Sequence, residues 1–295
     1  MRFTLRQLQV FLATAHHQNI SRAAESLAMS QSAASGALSD LESRYNAQLF
    51  DRVGKRLQLN AQGYALRPLA ESLMDEANEV EAVLEQRGIA GKLKVGATLT
   101  IGNYIAIPII ARFKQEFPDV DLRMHVANTE HIASEVLQFD MDIGLIEGEY
   151  SHPDLLVEPW QDDELQVFCS PNHPFASLAS LDDKQLKSVP WILREQGSGT
   201  RQTFDRAMHG LLNDLDIHLE FEHTEAIKRA VEAGLGLGCL SRITLADAFK
   251  RGSLVPLDVK HRDMGRQFYF VTHKKKFQSR ALLSWLETCR QLSDS

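Results

Sequence analysis

The sequence predicts a chain of the α/β class that begins with a small all-helical domain and continues through one long helix into an α/β domain. Three observations predict this order. Apolar residues recur at helical spacing near the N-terminus, one narrow apolar stripe runs from Leu66 to Leu84, and after Gly91 short β-branched runs alternate with amphipathic helices. The 295 residues correspond to about two domains at roughly 100–200 residues each.

Composition excludes several classes of protein. A hydrophobic content of 44% with 24% charged residues is ordinary for a folded domain and argues against a disordered or fibrous chain. No stretch approaches the ~18 apolar residues of a membrane span, and the first seven residues lack the apolar run of a signal peptide, so we expect a cytoplasmic protein with no membrane partner. Cys169, Cys239 and Cys289 are too scattered for a disulfide framework or a zinc site.

The formal net charge of −7 is unevenly distributed along the chain. Residues 1–60 hold seven Lys/Arg against four acids, which gives +3, whereas residues 61–88 carry −4 and residues 89–295 carry −6. Three of the seven cations, Arg52, Lys55 and Arg56, lie within five positions. Only the first 60 residues are therefore suited to approach a polyanion.

Three helices are predicted in this basic segment. A capping box that starts at Thr4 predicts the first helix, Ser21 is placed to cap a second helix over 22–27, and Ser30 is placed to cap a third over 31–44. Two short helices joined by a short turn form a helix-turn-helix, whose second helix fits the DNA major groove.

The third predicted helix has a polar face of short side chains. Its apolar positions predict burial of one face, which leaves Gln31, Ser32, Ser35 and Ser39 exposed. Such side chains can contact base edges or phosphates. The pattern alone leaves open the alternative that this face is the polar surface of a small helical bundle.

A long helix is predicted from Asn60, its N-cap, to about Arg87. Its apolar stripe consists of Leu66, Leu69, Leu73, Ala77, Val80 and Leu84, in steps of three or four. A stripe this narrow suits a coiled-coil seam better than the face of a globular core helix, and a monomeric surface helix would leave it exposed. Pro68 lies inside the pattern and predicts a kink or a local loosening of the helix.

From Gly91 the pattern predicts an α/β fold with a mainly parallel sheet. The predicted strands are 93–97, 120–126, 142–146, 165–170, 191–193, 217–221, 237–240 and 267–272, and the predicted helices are 105–117, 132–139, 200–212, 224–233 and 279–292.

Polar residues follow several of these strands, where ligands of α/β sheets bind next to helix N-termini. The candidates are Thr98, Thr100, Asn103, Glu147, Ser198, Thr200, Arg201 and Ser241. Small residues and hydroxyls before a helix suit a small oxyanion or carboxylate, to which Arg201 could donate charge-assisted hydrogen bonds. Glu147 would repel a fully ionised ligand unless the ligand or Glu147 carries a proton, or Arg201 offsets the charge. The alternative is that Glu147 pairs with a loop cation away from any ligand.

The N-terminal segment resembles the DNA-binding domain of LysR-type transcriptional regulators. The resemblance rests on residues 5–11, 21–27, 30–35, 41–42 and 49–52, with the family's spacing. It implies that Arg52–Leu59 is the wing of a winged helix-turn-helix, that Arg22, Arg52, Lys55 and Arg56 contact DNA, and that the long helix pairs with its twin. The run 60–63 departs from the family, which usually has a threonine-led turn there.

The same resemblance implies three parts. These are a DNA-binding domain (1–60), a linker or dimerisation helix (61–88) and a two-lobed, periplasmic-binding-protein-like α/β effector domain (89–295), with lobe I at about 89–162 plus 267–295 and lobe II at about 163–266. The expected crossovers between the lobes lie near 159–163 and 263–267.

Five strings favour one branch of the family. Residues 100–104, 142–148, 191–201, 225–228 and 238–242 resemble the sulfite-responding YeiE-type branch, near the RuBisCO-operon regulators. The implied effector is a small sulfur oxyanion, and no cofactor is implied. The implied assembly is a homodimer or homotetramer on inverted-repeat DNA, whose bending changes when the effector closes the cleft.

Three other functions compete with this interpretation. An enzyme is disfavoured because the histidines show no metal-ligand spacing on one helix face and because no Gly-x-Ser-x-Gly elbow or Walker loop occurs. A redox sensor would need Cys169, Cys239 or Cys289 in a cationic, accessible setting. A solute-binding transport protein is disfavoured by the helix-turn-helix and by the expected lack of a signal peptide.

Overall fold

The computed structural model describes residues 2–85 and 88–293, which form two compact units. The first comprises Met1–Gly91, Asp119–Asp121 and Lys274–Leu283, and the second comprises Lys92–Pro118, Leu122–His273 and Ser284–Ser295. Gln86 and Arg87, at the predicted end of the linker helix, lie outside the described residues, as do the terminal residues Met1, Asp294 and Ser295.

The N-terminal part of the first unit is a winged helix-turn-helix. Its elements are α1 (Leu5–His17), α2 (Ile20–Ser26), α3 (Gln31–Tyr45), β1 (Phe50–Val53), β2 (Arg56–Leu59) and α4 (Ala61–Leu84). The capping box at Thr4 and the Ser30 cap are both present. The predicted Ser21 cap is wrong, because the side chain of Asn19 accepts from the backbone N–H groups of Ser21 and Arg22 and starts α2 two residues earlier.

The wing is a β-hairpin attached to the end of α1. Strands β1 and β2 pair antiparallel across a two-residue turn, in which Gly54 has φ +62°, a conformation that favours glycine. The backbone N–H of Leu57 donates to the carbonyl of Gln18 at 2.9 Å. Since Phe11 and Phe50 pack with ring centroids 5.6 Å apart, the wing and α1 share one core.

Helix α4 starts where expected and continues through Pro68. The side chain of Asn60 accepts from the Gly63 N–H at 3.0 Å. The predicted single stripe divides into two faces: Leu66 and Leu73 pack against the helix-turn-helix core, whereas Leu69, Val80 and Leu84 are 59–77% exposed. The start of α4 therefore belongs to the core of its own domain, and the exposed apolar residues lie mainly toward its end.

The α/β region contains the predicted alternation of strands and helices. Its elements are β3 (Gly91–Ala97), α5 (Ala106–Glu116), β4 (Val120–Val126), α6 (Thr129–Leu137), β5 (Ile143–Glu147), β6 (Leu155–Cys169), α7 (Asp183–Lys187), β7 (Pro190–Arg194), α8 (Gly199–Ala207), β8 (Asp216–Phe221), α9 (Thr224–Glu232), β9 (Leu237–Ser241), α10 (Arg242–Arg251), β10 (Val255–Leu257), β11 (Gly265–His273) and α11 (Arg280–Ser293). The sequence patterns missed α7, α10, β10 and the first ten residues of β6.

Within the described residues, these nine strands join in one sheet in the order β4-β3-β5-β11-β6-β9-β7-β8, with β10 beside β6. The pairs β3/β5, β7/β8 and β7/β9 are parallel, as expected, but β6 and β11 run antiparallel to their neighbours. The sheet is therefore mixed rather than mainly parallel.

Strand β6 passes from one lobe to the other. It pairs with β11 as far as Glu164 and with β9 from Leu165 onward. The change of partner lies one residue beyond the predicted crossover at 159–163, and β11 begins at Gly265, inside the predicted range 263–267. Each lobe has its own core, built around Ile132 and Ile146 in the first and around Trp191 and Phe204 in the second.

Gly199 fixes how closely α8 approaches the end of β5, and we expect Gly199→Ala to destabilise the protein by about 1–3 kcal/mol, the usual cost of overpacking. A Cβ at this position would lie 1.9 Å from the carbonyl oxygen of Glu147. Thermal melting of the full chain by circular dichroism measures the effect. Gly36→Ala is the matched control, because that helical position has no atom within 4 Å of an added Cβ and alanine there gains up to ~1 kcal/mol of helix propensity. Equal melting temperatures for the two variants would contradict the close approach.

Candidate functional site

A buried network of polar side chains lies where the two lobes meet. We call it the interlobe network; its members are Thr100, Glu147, Asp163, Thr200, Ser241 and Arg266. The guanidinium of Arg266 lies between two carboxylates: Nη1 donates to Glu147 Oε2 and Nε donates to Asp163 Oδ2, each at 2.6 Å. The three charged side chains are only 1–2% exposed. Both ion pairs are thus shielded from water.

Hydroxyl and amide groups from both lobes complete the network. The Thr100 N–H donates to Glu147 Oε1 at 2.8 Å, and the Thr200 hydroxyl donates to Glu147 Oε2 at 2.9 Å. Arg266 Nη1 also donates to the Thr200 hydroxyl at 2.9 Å. On the other carboxylate, the Ser241 hydroxyl donates to Asp163 Oδ1 at 2.8 Å. The network therefore connects the ends of β3, β5 and β9 with the start of α8.

Glu147 is ionised in this setting. Burial alone would raise the pKa of its carboxyl group, but the charges of Arg266 and Arg194 and the N–H of Thr100 outweigh burial and lower the pKa from 4.5 to about 2. The prediction that Arg201 offsets the negative charge of Glu147 is wrong, because Arg266 supplies the positive charge beside it. Glu147 does pair with a cation, but that cation is Arg266 of β11, inside the network, and not the loop residue of the sequence-based alternative.

Small residues bring α8 against the end of β5. The Thr129 hydroxyl donates to the carbonyl of Glu147 at 2.8 Å and accepts from the Gly199 N–H at 3.2 Å. Gly148 has φ +80° and Gly197 has φ +83°, so both take the left-handed conformation that favours glycine. The Gly-Ser-Gly-Thr run thus positions the Thr200 hydroxyl against Glu147.

The other predicted effector residues lie outside the network. Thr98 is buried, and its hydroxyl lies 3.5 Å from the carbonyl of Leu145. Asn103 is exposed and lines a cavity of about 490 Å³ with residues of both lobes. Ser198 lines a different cavity of about 370 Å³. Arg201 is held by Asp205 at 2.8 Å and by Glu220.

Sequence reasoning missed Asp163, Arg194 and Arg266. Asp163 and Arg266 are cross-strand partners in β6 and β11, and each lies in a predicted crossover between the lobes. The sequence does contain a signal for this pair: opposite charges occur in the two crossover segments, which run side by side. Arg194 is buried and donates twice to the carboxylate of Glu195, at 2.7 and 2.8 Å.

Tyr104 makes a second connection between the lobes. Its hydroxyl donates to Glu225 Oε1 at 2.9 Å and accepts from Lys228 Nζ at 3.3 Å. Burial and the hydrogen bond to Glu225 raise the pKa of Tyr104. These residues belong to the strings Thr-Ile-Gly-Asn-Tyr and Glu-Ala-Ile-Lys, which the fold brings together.

The predicted DNA-contacting residues are all exposed. On α3 these are Gln31, Ser32, Ser35 and Ser39, and the cations are Arg22 on α2 and Arg52, Lys55 and Arg56 on the wing. The three wing cations line a cavity of about 330 Å³ together with Asn19 and Ser21 at the start of α2. Because 31, 35 and 39 are spaced by four residues, these side chains follow one face of α3.

The three cysteines are not in the accessible, cationic setting that a redox sensor needs. All three are buried free thiols, at most 1% exposed. Burial raises the pKa of Cys169 to about 11 and that of Cys239 to about 12, and it raises the pKa of Cys289 as well. The thiolate form, which reacts with oxidants, is therefore suppressed at neutral pH.

Comparisons with known proteins agree with this organisation. Residues 86–294 match the LysR substrate binding domain, and residues 5–64 match the bacterial regulatory helix-turn-helix protein, lysR family. The uncharacterized HTH-type transcriptional regulator YeiE of Escherichia coli K12 is 40% identical over 289 residues, covering 98% of each chain. The RuBisCO operon transcriptional regulator of Allochromatium vinosum is 32% identical over 278 residues, covering 94% of this chain and 92% of that protein.

Solved structures share the fold. A full-length OxyR variant from Pseudomonas aeruginosa matches with a TM-score of 0.75 at 23% identity, over 98% of this chain and 95% of that one. The CcmR regulatory domain of Synechocystis PCC6803 in complex with 2-PG matches with a TM-score of 0.64 at 26% identity, over 70% of this chain and 98% of that one.

The chain belongs to the LysR family of transcriptional regulators. It is a regulator with a DNA-binding helix-turn-helix and an effector-binding domain, and its relatives are transcriptional regulators rather than enzymes. The resemblance to the YeiE-type branch is confirmed, with RuBisCO-operon regulators also among the relatives. No helix in the described part of the chain is long and apolar enough to cross a membrane.

We expect Glu147→Gln to lower stability at neutral pH by roughly 3–5 kcal/mol, because it removes one partner of a buried ion pair. Since folding lowers the pKa of Glu147 from 4.5 to about 2, its contribution is fully present above pH 4.5 and is lost as the pH falls toward 2. The difference between wild type and variant should therefore shrink over that range. Urea unfolding followed by tryptophan fluorescence measures it, because Trp160, Trp191 and Trp285 all lie in the second unit.

Glu116→Gln is the matched control for this measurement. Glu116 forms an exposed ion pair with Arg112 at 2.9 Å, which contributes at most about 1 kcal/mol. A stability loss in Glu147→Gln that is as small as in the control, or that does not change between pH 7 and pH 3, would contradict the assignment of Glu147 as an ionised, paired carboxylate.

Proposed function

We propose that this regulator binds a small anionic effector at the interlobe network, and that binding changes its promoter binding or the bending of the DNA. A sulfite-like oxyanion is the favoured effector. The observation that carries the proposal is the convergence of Arg266 with hydroxyls of both lobes, Thr100 and Thr200, around the ionised Glu147. A ligand held by groups from both lobes changes how the lobes close.

The donors of the network suit an oxyanion. Arg266 and the Thr200 hydroxyl can turn from Glu147 to the oxygens of a bound anion, so that the buried guanidinium keeps a charged partner. The backbone N–H groups at the start of α8 add the partial positive charge of a helix N-terminus. The CcmR regulatory domain, whose solved complex contains 2-PG, supports a small ligand in a domain of this fold.

Glu147 gives the site a means of selection. An ionised carboxylate only accepts hydrogen bonds, so it repels a fully ionised ligand and favours one that keeps a proton. Near neutral pH a fraction of sulfite is protonated, whereas sulfate is not. The site is therefore expected to favour sulfite over sulfate. Of the three ways of reconciling Glu147 with an anion that the sequence left open, this is the one in which the ligand carries the proton.

We expect sulfite to raise the melting temperature of the full chain and sulfate to leave it unchanged. At a concentration of about 100 Kd the stabilisation is roughly 2.7 kcal/mol, which corresponds to a shift of about 5–10 °C for a domain of this size. Thr200→Val should abolish the shift. Thr203→Val is the matched control on the same helix, because the Thr203 hydroxyl donates to the Gly199 carbonyl and lies outside the network.

The same assay includes thiosulfate and small carboxylates. A shift with a carboxylate alone would favour the alternative of a regulator of a small carboxylate metabolite. If no anion shifts the melting temperature while Thr200→Val still abolishes regulation, the oxyanion proposal fails. The buried thiols argue against the redox alternative, and the DNA-binding domain argues against a solute-binding transport protein.

We propose that Arg22, Gln31, Ser32, Ser35, Ser39, Arg52, Lys55 and Arg56 contact double-stranded DNA. Arg52→Ala and Arg56→Ala are each expected to weaken binding to all duplexes and to reduce the slope of log affinity against log salt by about 1, because each removes one phosphate contact. Fluorescence anisotropy at several salt concentrations measures this. Arg251→Ala removes an exposed cation of α10 and should leave the slope unchanged. An unchanged slope in the wing variants would exclude the wing from the DNA interface.

We further propose that the protein works in the cytoplasm as a homodimer through α4, and as a homotetramer on inverted-repeat promoter sites. The support within the first unit is the exposed apolar set Leu69, Val80 and Leu84, which a second copy of α4 would cover. Two recognition helices related by a twofold axis then contact the two halves of an inverted repeat, and effector-driven closure changes the spacing between dimers.

A further inference from the structure

Two histidines and a glutamate come together on the first lobe, outside the interlobe network. His125 lies on β4, and His131 and Glu135 lie one turn apart on α6. His125 Nδ1 is 2.9 Å from Glu135 Oε2, and His131 Nε2 is 3.5 Å from Glu135 Oε1. One ligand atom from each residue lies within 4.8 Å of the other two.

These distances match the spacing of ligands around a metal ion. Zinc–nitrogen and zinc–oxygen bonds of about 2.0–2.2 Å place tetrahedral ligands roughly 3.4 Å apart. The side chains are 45%, 58% and 20% exposed, which leaves them room to adjust to that spacing. The backbone is already suited to the site, because residues four apart on a helix present their side chains on one face.

The donor set indicates which ion fits. Imidazole suits zinc, nickel and copper, whereas calcium and magnesium prefer oxygen ligands. We infer that His125, His131 and Glu135 form a binding site for a late first-row divalent ion, represented here by Zn²⁺. Three protein ligands leave at least one position for water or another donor.

An imidazole–carboxylate hydrogen bond without metal is the simpler explanation of the cluster. It accounts for the contact of His125 with Glu135, and the four-residue helical spacing accounts for the approach of His131 to the second oxygen of that carboxylate. The metal interpretation adds a reason for His125 of β4 to meet this helical pair at the same carboxylate. The two imidazole rings also lie edge to face, with centroids 5.7 Å apart. Both histidines thus converge on one carboxylate, as ligands of a single ion would.

An ion at this site would fix the start of α6 against β4. The same helical segment contacts the surroundings of the interlobe network, because the Thr129 hydroxyl donates to the Glu147 carbonyl and the Glu130 N–H donates to the carbonyl of Gly197. His131 also lines the 490 Å³ cavity beside the cleft, together with Glu222 and His223 of the second lobe. Metal binding is therefore expected to stabilise the lobe, whatever the effector is.

The test is zinc binding to the full chain, prepared without a polyhistidine tag and stripped with a chelator, measured by competition with a zinc indicator. We expect one Zn²⁺ per chain and no competition from Mg²⁺. His131→Ala and Glu135→Gln should each weaken binding at least about a hundredfold, since losing a partner outside the coordination sphere already costs 10–100-fold. His218→Ala, which removes an exposed histidine outside the cluster, should bind zinc as the wild type does.

Two further readouts separate this site from other zinc-binding groups. Zinc should raise the melting temperature of wild type and of His218→Ala but not that of His131→Ala, while the metal-free proteins melt alike. Bound Co²⁺ should show visible absorption bands without a thiolate charge-transfer band. Non-saturable binding, equal affinity in all variants, or a thiolate band would overturn the proposal.

Discussion

The two buried ion pairs of Arg266, with Glu147 and with Asp163, are the interactions on which the local structure of the effector domain depends. A guanidinium and two carboxylates that are almost excluded from water are tolerated only when each charge has a partner and the remaining hydrogen-bonding groups are satisfied. That requirement determines the surroundings. The Thr100 N–H and the Thr200 hydroxyl bind Glu147, and the Ser241 hydroxyl binds Asp163. Close approach of α8 to β5 then requires Gly199.

The position of this network in the sheet supports the proposal that an effector binds there. Asp163 lies in β6, which pairs with strands of both lobes, and Arg266 lies opposite it in β11, while Thr100 and Thr200 come from opposite lobes. Under the proposed function, an effector that took over hydrogen bonds from Glu147 would change the relative stability of open and closed lobes by the difference in its affinity for them. Tyr104, which bonds to Glu225 and Lys228, makes a further contact between the lobes that does not involve the central charges.

Most of the fold and part of the site could be predicted from the sequence. The Thr4 capping box, the Ser30 cap and the Asn60 cap depend on hydrogen bonds within three residues, and all three are present. Asn19 replaced Ser21 as a cap because two neighbouring polar residues could both serve, and only the backbone conformation selects one. The positions of Thr100, Glu147 and Thr200 followed from the rule that strand ends meet helix starts. The same rule also predicted Arg201 as a site residue, but its guanidinium bonds to Asp205 and Glu220 instead.

By itself, the sequence determined the features that depend on neighbours in the chain: the helices and their caps, the strands, the basic character of the first 60 residues and the family. Only the tertiary structure decided which charges pair. Glu147 and Arg266 are 119 residues apart, and His125 reaches Glu135 from a strand rather than from its helix, so no local spacing records either contact. The physical reason is that periodicity reports on which face of an element is apolar, whereas sheet order and strand register decide which polar side chains meet once the core has closed.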